Sequence, residues 1–219
     1  SQPKFFLSIN EMSVDNLLSI WPKDFSDSVF DWMNLNSKGF INNFLLTTQF
    51  TFEKNNLSFG KLNGKFDFDD VQIIYMDSMP DIKMIDGKAQ ILGDKITFFI
   101  ENGISKDLKI VKGNVELYGL NTNAEKVIVD LEIVSNNDNI VDYLDQSPMN
   151  KKNFSKLRKI KGEVDLTLNL TFPLLLELKT EEIHYYSEAK ISNASLENLY
   201  KDFSIFDMDI FFPSYPFIV

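Results

Sequence analysis

The chain contains one histidine, His184, set in Glu182-Ile183-His184-Tyr185-Tyr186, and no cysteine. A lone imidazole needs a positioned partner to act as a base or to activate a nucleophile. No second histidine and no thiol exists to provide one, so His184 reads as structural or exposed. Disulfides, zinc–thiolate sites, iron–sulfur clusters and cysteine nucleophiles are excluded on the same ground. The absence of thiols fits an oxidising compartment. Asp67, Asp69 and Asp70 resemble part of a calcium loop, but the glycine and the closing glutamate of that pattern are missing. They read as the solvated face of a strand. With 32 acidic residues a carboxylate pair for glycoside hydrolysis is possible in principle, yet nothing in the spacing pairs any two. No phosphate loop, dinucleotide fingerprint or nucleophile elbow occurs. The expectation is no enzyme, no cofactor, no metal and no catalytic residue. The sequons at Asn56, Asn153, Asn169 and Asn193 read as chance in an Asn-rich chain.

What remains is a pattern of apolar residues. The 219 residues are enough for a substantial core, and 44% are hydrophobic, with 20 Phe. The net charge of −10 disfavours nucleic acid as a partner. One basic run, Lys151-Lys152 to Lys161, reads as a solvated connector. No stretch approaches the roughly 20 apolar residues of a membrane span, and Ser1-Gln2-Pro3-Lys4 is not a signal peptide. The start without Met and the greasy Ile210–Val219 suggest a piece of a longer protein.

Ser13 predicts an N-cap for a helix from Val14 to Ile20, ended by Pro22, and a second helix is predicted from Ser26 to Met33, closed by Gly39. From Phe40 the period becomes two. Val127, Val129, Leu131 and Ile133 share one face of a strand. So do Ile160, Gly162, Val164, Leu166, Leu168 and Leu170, between Lys161, Glu163, Asp165, Thr167, Asn169 and Thr171. Such alternation marks half-buried antiparallel strands. Lys65–Tyr75 and Lys95–Ile100 alternate less cleanly, and Asp69-Asp70 predicts a bulge or turn. A third helix is predicted near Asp138–Gln146, stopped by Pro148. Gly64, Gly87, Gly113 and Gly162 each precede a short alternating segment and read as turns or bulges that open stacked hairpins.

Ile20-Trp21-Pro22, then Trp32, then Gly39-Phe40-Ile41 resembles the opening of a domain in the AsmA-like bacterial envelope proteins, the group with YhdP and, more distantly, TamB. Val71-Gln72-Ile73-Ile74-Tyr75, Met79-Pro80-Asp81-Ile82 and Ile85-Asp86-Gly87-Lys88-Ala89 continue the resemblance. So do the Gly113 and Gly162 strands, and Tyr185, Ala189, Ile191, Ala194 and Leu196; in all it covers about residues 15 to 205. A basic residue expected in the Trp32 helix is replaced by Phe30-Asp31, so its role is not transferred. The resemblance implies a periplasmic location in a Gram-negative bacterium, an inner-membrane anchor outside this chain, a long curved sheet with an apolar groove, and phospholipid movement toward the outer membrane. It contributes no catalytic residue.

The expected fold is mainly β: a curved antiparallel sheet, as an open groove or a partial sandwich or barrel, with two or three short helices. Residues 1–39 would form a helical cap and an opening strand, and 40–219 the repeated sheet, with a helical insertion near 138–148. The alternating faces nominate Phe98, Ile100, Val127, Val129, Leu131, Val164, Leu166, Leu168 and Leu170 as groove residues. The expected partners are phospholipid acyl chains and adjoining repeats of the full-length protein. The rivals are an interaction module with a sealed core, and a carbohydrate-active β-sandwich enzyme.

Overall fold

Period-two alternation produces strands throughout. A computed structural model describes residues 4–21, 26–53, 56–76, 78–120, 122, 124–147, 154–175, 178–200 and 203–213. Within them lie β1 (Lys4–Ser13), α1 (Val14–Ser19), α2 (Asp27–Asn36), β2 (Ser37–Glu53), β3 (Asn56–Phe59), β4 (Asn63–Ile73), β5 (Ile82–Leu92), β6 (Lys95–Ser105), β7 (Leu108–Tyr118), β8 (Lys126–Asn136), α3 (Asn137–Gln146), β9 (Ile160–Pro173), β10 (His184–Tyr200) and β11 (Phe203–Pro213). Short 3₁₀ turns occupy Phe154–Lys159 and Thr180–Glu182. Every pairing is antiparallel, and the sheet order is β1-β2-β4-β5-β6-β7-β8-β9-β10-β11, with β3 beside β2. No pairing among the described residues joins β1 to β11, so the sheet is open rather than a barrel.

All three helices are insertions at one end of the sheet, where β1 and β8 finish and β2 and β9 begin. The Ser13 side chain caps α1 through the Asn16 N–H, as predicted. Ser26 caps α2, but that helix continues to Asn36 rather than stopping at Met33. Gly39 does not close it: it lies inside β2 at φ +134°, where a Cβ would stand 2.7 Å from the Val71 Cα. Pro22 and Pro148 lie outside the described residues. Asn136 caps α3. The Asp69-Asp70 bulge is present, with Asp70 at φ 47° and a register shift between Phe68 and Val71. The basic run is more ordered than a loose connector. Its described part forms a 3₁₀ turn whose Arg158 bonds Asp142 at 2.7 Å and Asp145 at 2.5 Å, and Lys161, the second residue of β9, bonds Asp138 at 2.7 Å.

The sheet is strongly curved. Ser26 Oγ bonds the Glu125 carboxylate just before β8, while α2 ends at Ser37, the first residue of β2. Five strand spacings and about ten residues of strand separate those places, about 40 Å on a flat sheet. The α2 helix and its caps span only about 16 Å. Curling brings the walls together, and bulges assist: register shifts interrupt the β2–β4, β4–β5, β5–β6, β7–β8, β9–β10 and β10–β11 pairings.

Candidate functional site

Directly paired residues share a face of a sheet. One inward row runs Phe68, Gly87, Ile100, Gly113, Leu131, Leu168 across β4 to β9. The next runs Phe66, Ala89, Phe98, Val115, Val129, Leu170. A third runs Gly64, Ile91, Ile96, Leu117, Val127, Phe172. Toward the helical end, Ile133 faces Leu166, and Val164 faces Ile191, which faces Ile210. All nine nominated residues therefore lie on one face, and no charged residue enters these rows. Ion pairs sit on the opposite face: Lys88–Glu101, Lys95–Glu116, Lys112–Glu132 and Lys190–Asp209.

The turn reading of the glycines fails and the bulge reading holds at two of them: register shifts adjoin Gly87 and Gly162, the latter at φ +153°. They do not open turns; Gly64, Gly87 and Gly113 stand inside the inward rows between large neighbours. A Cβ at Gly87 would lie 2.1 Å from the Phe99 carbonyl oxygen and 2.6 Å from Phe68 Cζ. A Cβ at Gly113 would lie 2.4 Å from Leu131 Cδ2. Alternating large and empty positions lets Phe66, Phe68 and Phe98 meet edge to face, with ring centroids 6.0–6.5 Å apart.

Two covers divide this face. Val14, Leu17 and Leu18 of α1 and Val29 of α2 are buried against inward residues of β2 to β8, and Trp21, Phe30, Trp32 and Met33 pack around them. The Ser26–Glu125 bond, 2.9 Å, fixes the far tip of this hairpin; both residues are buried. The second cover is α3. Its Ile140 and Tyr143 pack against the buried cluster of Leu108, Ile110 and Ile133, which Ile82, Ile100, Leu131, Leu166 and Leu168 also border. The Tyr143 hydroxyl bonds the Tyr75 hydroxyl beyond β4 and the Ser105 Oγ at the end of β6 (3.2 Å). Partial burial, and then the neighbouring Tyr143 hydroxyl, push the Tyr75 phenol well above the usual tyrosine range. That leaves its proton in place at any physiological pH.

Among the nominated residues, Val127 and Val164 are core, at 4% and 3% exposure. Phe98, Ile100, Val129, Leu131, Leu166, Leu168 and Leu170 are half-buried. Leu170, between Val129 and Tyr185, lies outside the packed clusters of both covers. The uncovered position among the nominated residues is thus Leu170, beside Tyr185 of β10. Sequence reasoning missed Tyr75, Ser105, Tyr143 and Glu125, because no local spacing announces a contact between residues so distant along the chain.

Among the described residues, no three His, Asp or Glu side chains gather as a metal site would need. His184 is exposed at the start of β10. Asp67 accepts from Asn43 at 2.7 Å. Asp69 hydrogen-bonds the Asp86 carboxyl and is held above the ordinary carboxylate range by that bond and by the charge behind it. Asp86 is held below the range, first by the Asp70 backbone N–H at 2.8 Å and also by the Asn102 amide at 2.9 Å. Asn169 is half-buried and bonds Asp130. Asn193 is exposed at a positive-φ bulge.

No described helix is long and apolar enough to cross a membrane. No curated protein and no solved structure matches the chain. The model of a family described as YhdP protein matches residues 4–207. An open curved antiparallel sheet with an uncharged inward face, matched over nearly its whole length, identifies the chain as a member of the YhdP family, a family of AsmA- and TamB-type bacterial envelope proteins.

Proposed function

We propose that this chain is a non-catalytic segment of a periplasmic, inner-membrane-anchored envelope protein that carries phospholipid between the two membranes, with acyl chains lying on the inward face. The observation that carries the reading is the half-buried Leu170, which lies outside all three packed clusters on an open sheet whose inward rows hold no charge. Burying one methylene is worth about 0.8 kcal/mol, so ten methylenes against this face gain about 8 kcal/mol. Such a surface holds a chain without fixing its register, which suits sliding. Adjoining repeats of the full-length protein would continue the face.

A second reading has its own support: α1 and α2 seal much of the inward face, so the chain could instead be an interaction module with a closed core. Native mass spectrometry of gently purified protein, followed by organic extraction, separates the two. Copurifying phospholipid that is lost in a folded Leu168→Asp/Leu170→Asp variant supports carriage. A clean apo mass with no uptake of added lipid leaves the sealed module.

A further inference from the structure

The α3 helix is attached differently at its two ends. At its base, the buried Asn137 side chain donates to the carbonyls of Leu157 and Ile160, both at 2.8 Å, and Val141 is fully buried. Its last turn reaches the opposite wall of the sheet through the Tyr143 hydroxyl, which meets Tyr75 and Ser105. Ser105 in turn donates to the Pro80 carbonyl at 3.0 Å. The outward flank is acidic and held by exposed ion pairs to Arg158 and Lys161. Just past the helix, the buried Ser147 Oγ has no hydrogen-bond partner among the described residues.

We propose that α3 is a hinged strap over the groove, anchored at Asn137 and latched at Tyr143, and that it lifts to admit an acyl chain. Resting on the lipid-carrying reading above, this assigns regulation to that same face. Ile100, Leu131, Leu166 and Leu168, four of the groove candidates, border the same buried cluster of Leu108, Ile110 and Ile133 that Ile140 and Tyr143 of the strap cover. A chain entering from the uncovered position at Leu170 reaches them only with the latch open. The latch is a set of hydroxyl contacts, each of modest net strength in water. The base is packed and doubly hydrogen-bonded, so opening pivots there.

The chain has no cysteine, so Tyr75→Cys/Tyr143→Cys places the only two thiols at the latch. The test joins them with a bis-maleimide of matching span and follows uptake of a phosphatidylglycerol bearing a fluorescent acyl chain, before and after bridging. The expected result is ready uptake by the unbridged protein and strong slowing after bridging. Tyr143→Phe should raise hydrogen exchange across 137–146 about 2- to 10-fold, the population change given by losing one net hydrogen bond. Equal uptake in bridged and unbridged protein overturns the strap and leaves the acyl-binding face standing. No uptake in either form, with wild type also inert, overturns both. Unchanged exchange in Tyr143→Phe shows that the hydroxyl is not the latch.

Discussion

Ser26 and Glu125, 99 positions apart, form a buried 2.9 Å hydrogen bond that fixes the tip of the α1–α2 hairpin against the start of β8. Ser26 has a double task, since its Oγ also accepts from the Val29 N–H at 3.3 Å as the cap of α2. Ser26→Ala removes the cap and leaves a buried carboxylate without this donor. It should cost about 2–3 kcal/mol by urea denaturation, the sum of a lost cap and a stranded polar group. Glu125→Gln keeps an acceptor oxygen and should cost less. A double-mutant cycle of Ser26→Ala with Glu125→Ala that gives no coupling would show that the two act independently.

Gly87 and Gly103 give opposite forecasts for the same substitution. A methyl at Gly87 meets the Phe99 carbonyl at 2.1 Å, and backbone cannot yield as a side-chain tip can. Gly87→Ala should destabilise by about 3 kcal/mol, the range of an overpacked core, and disturb the Phe66–Phe68–Phe98 cluster. At Gly103 the nearest atom lies 3.4 Å away and is the end of the Ile110 side chain. Gly103→Ala should be neutral or stabilise by up to about 1 kcal/mol through the unfolded chain. Paired thermal melts decide it, and a shared sign for both would refute the steric account.

Strands such as β8 and β9 were legible because alternation is a local property: each residue's neighbours two positions away state which face it takes. The cap Ser13 was legible for the same reason. Gly87 adjoins a bulge, as one of the two sequence readings had it, but a glycine in sequence does not say that its emptiness is also used; Phe68, which needs the space, is on the neighbouring strand. Gly39 was misread as a helix end because the clash that requires it comes from Val71, 32 positions later. The nine groove candidates fell on one face because pairing transmits a period-two pattern from strand to strand. Which of them are covered depends on α1, α2 and α3, whose positions rest on contacts such as Tyr143–Tyr75 that leave no periodic trace.

Asp69 and Asp86 should titrate on opposite sides of the ordinary carboxylate value of 3.8. Asp69, raised in the folded state, favours the fold most below its shifted value and loses that contribution as pH climbs through it. Asp86, lowered, stabilises above 3.8 and loses that contribution as pH falls through its folded value. In Asp86→Asn the Asp69 carboxyl loses its charged neighbour and should titrate lower than in wild type. Carbon-detected NMR of the side-chain carboxyls reads both. An Asp69 titration unmoved by Asp86→Asn would remove the pair as the cause.

Val164 and Leu170 sit six residues apart on the same face of β9, and they separate a sealed core from an uncovered position. Val164 is 3% exposed and lies between Ser135 and Ile191. An aspartate there has no water and no partner, and should cost more than about 3 kcal/mol. Leu170 is half-buried beside Val129 and Tyr185. An aspartate there keeps access to solvent and should cost under about 2 kcal/mol. Urea denaturation of the two single variants measures the difference. A cost at Leu170 as large as at Val164 would mean that the hairpin end of β8 to β10 is closed over, which leaves no opening for an acyl chain. A small cost at Leu170, together with loss of bound lipid in the same variant, means the position is tolerant as structure and required for binding, as expected of a surface whose apolar character serves a ligand.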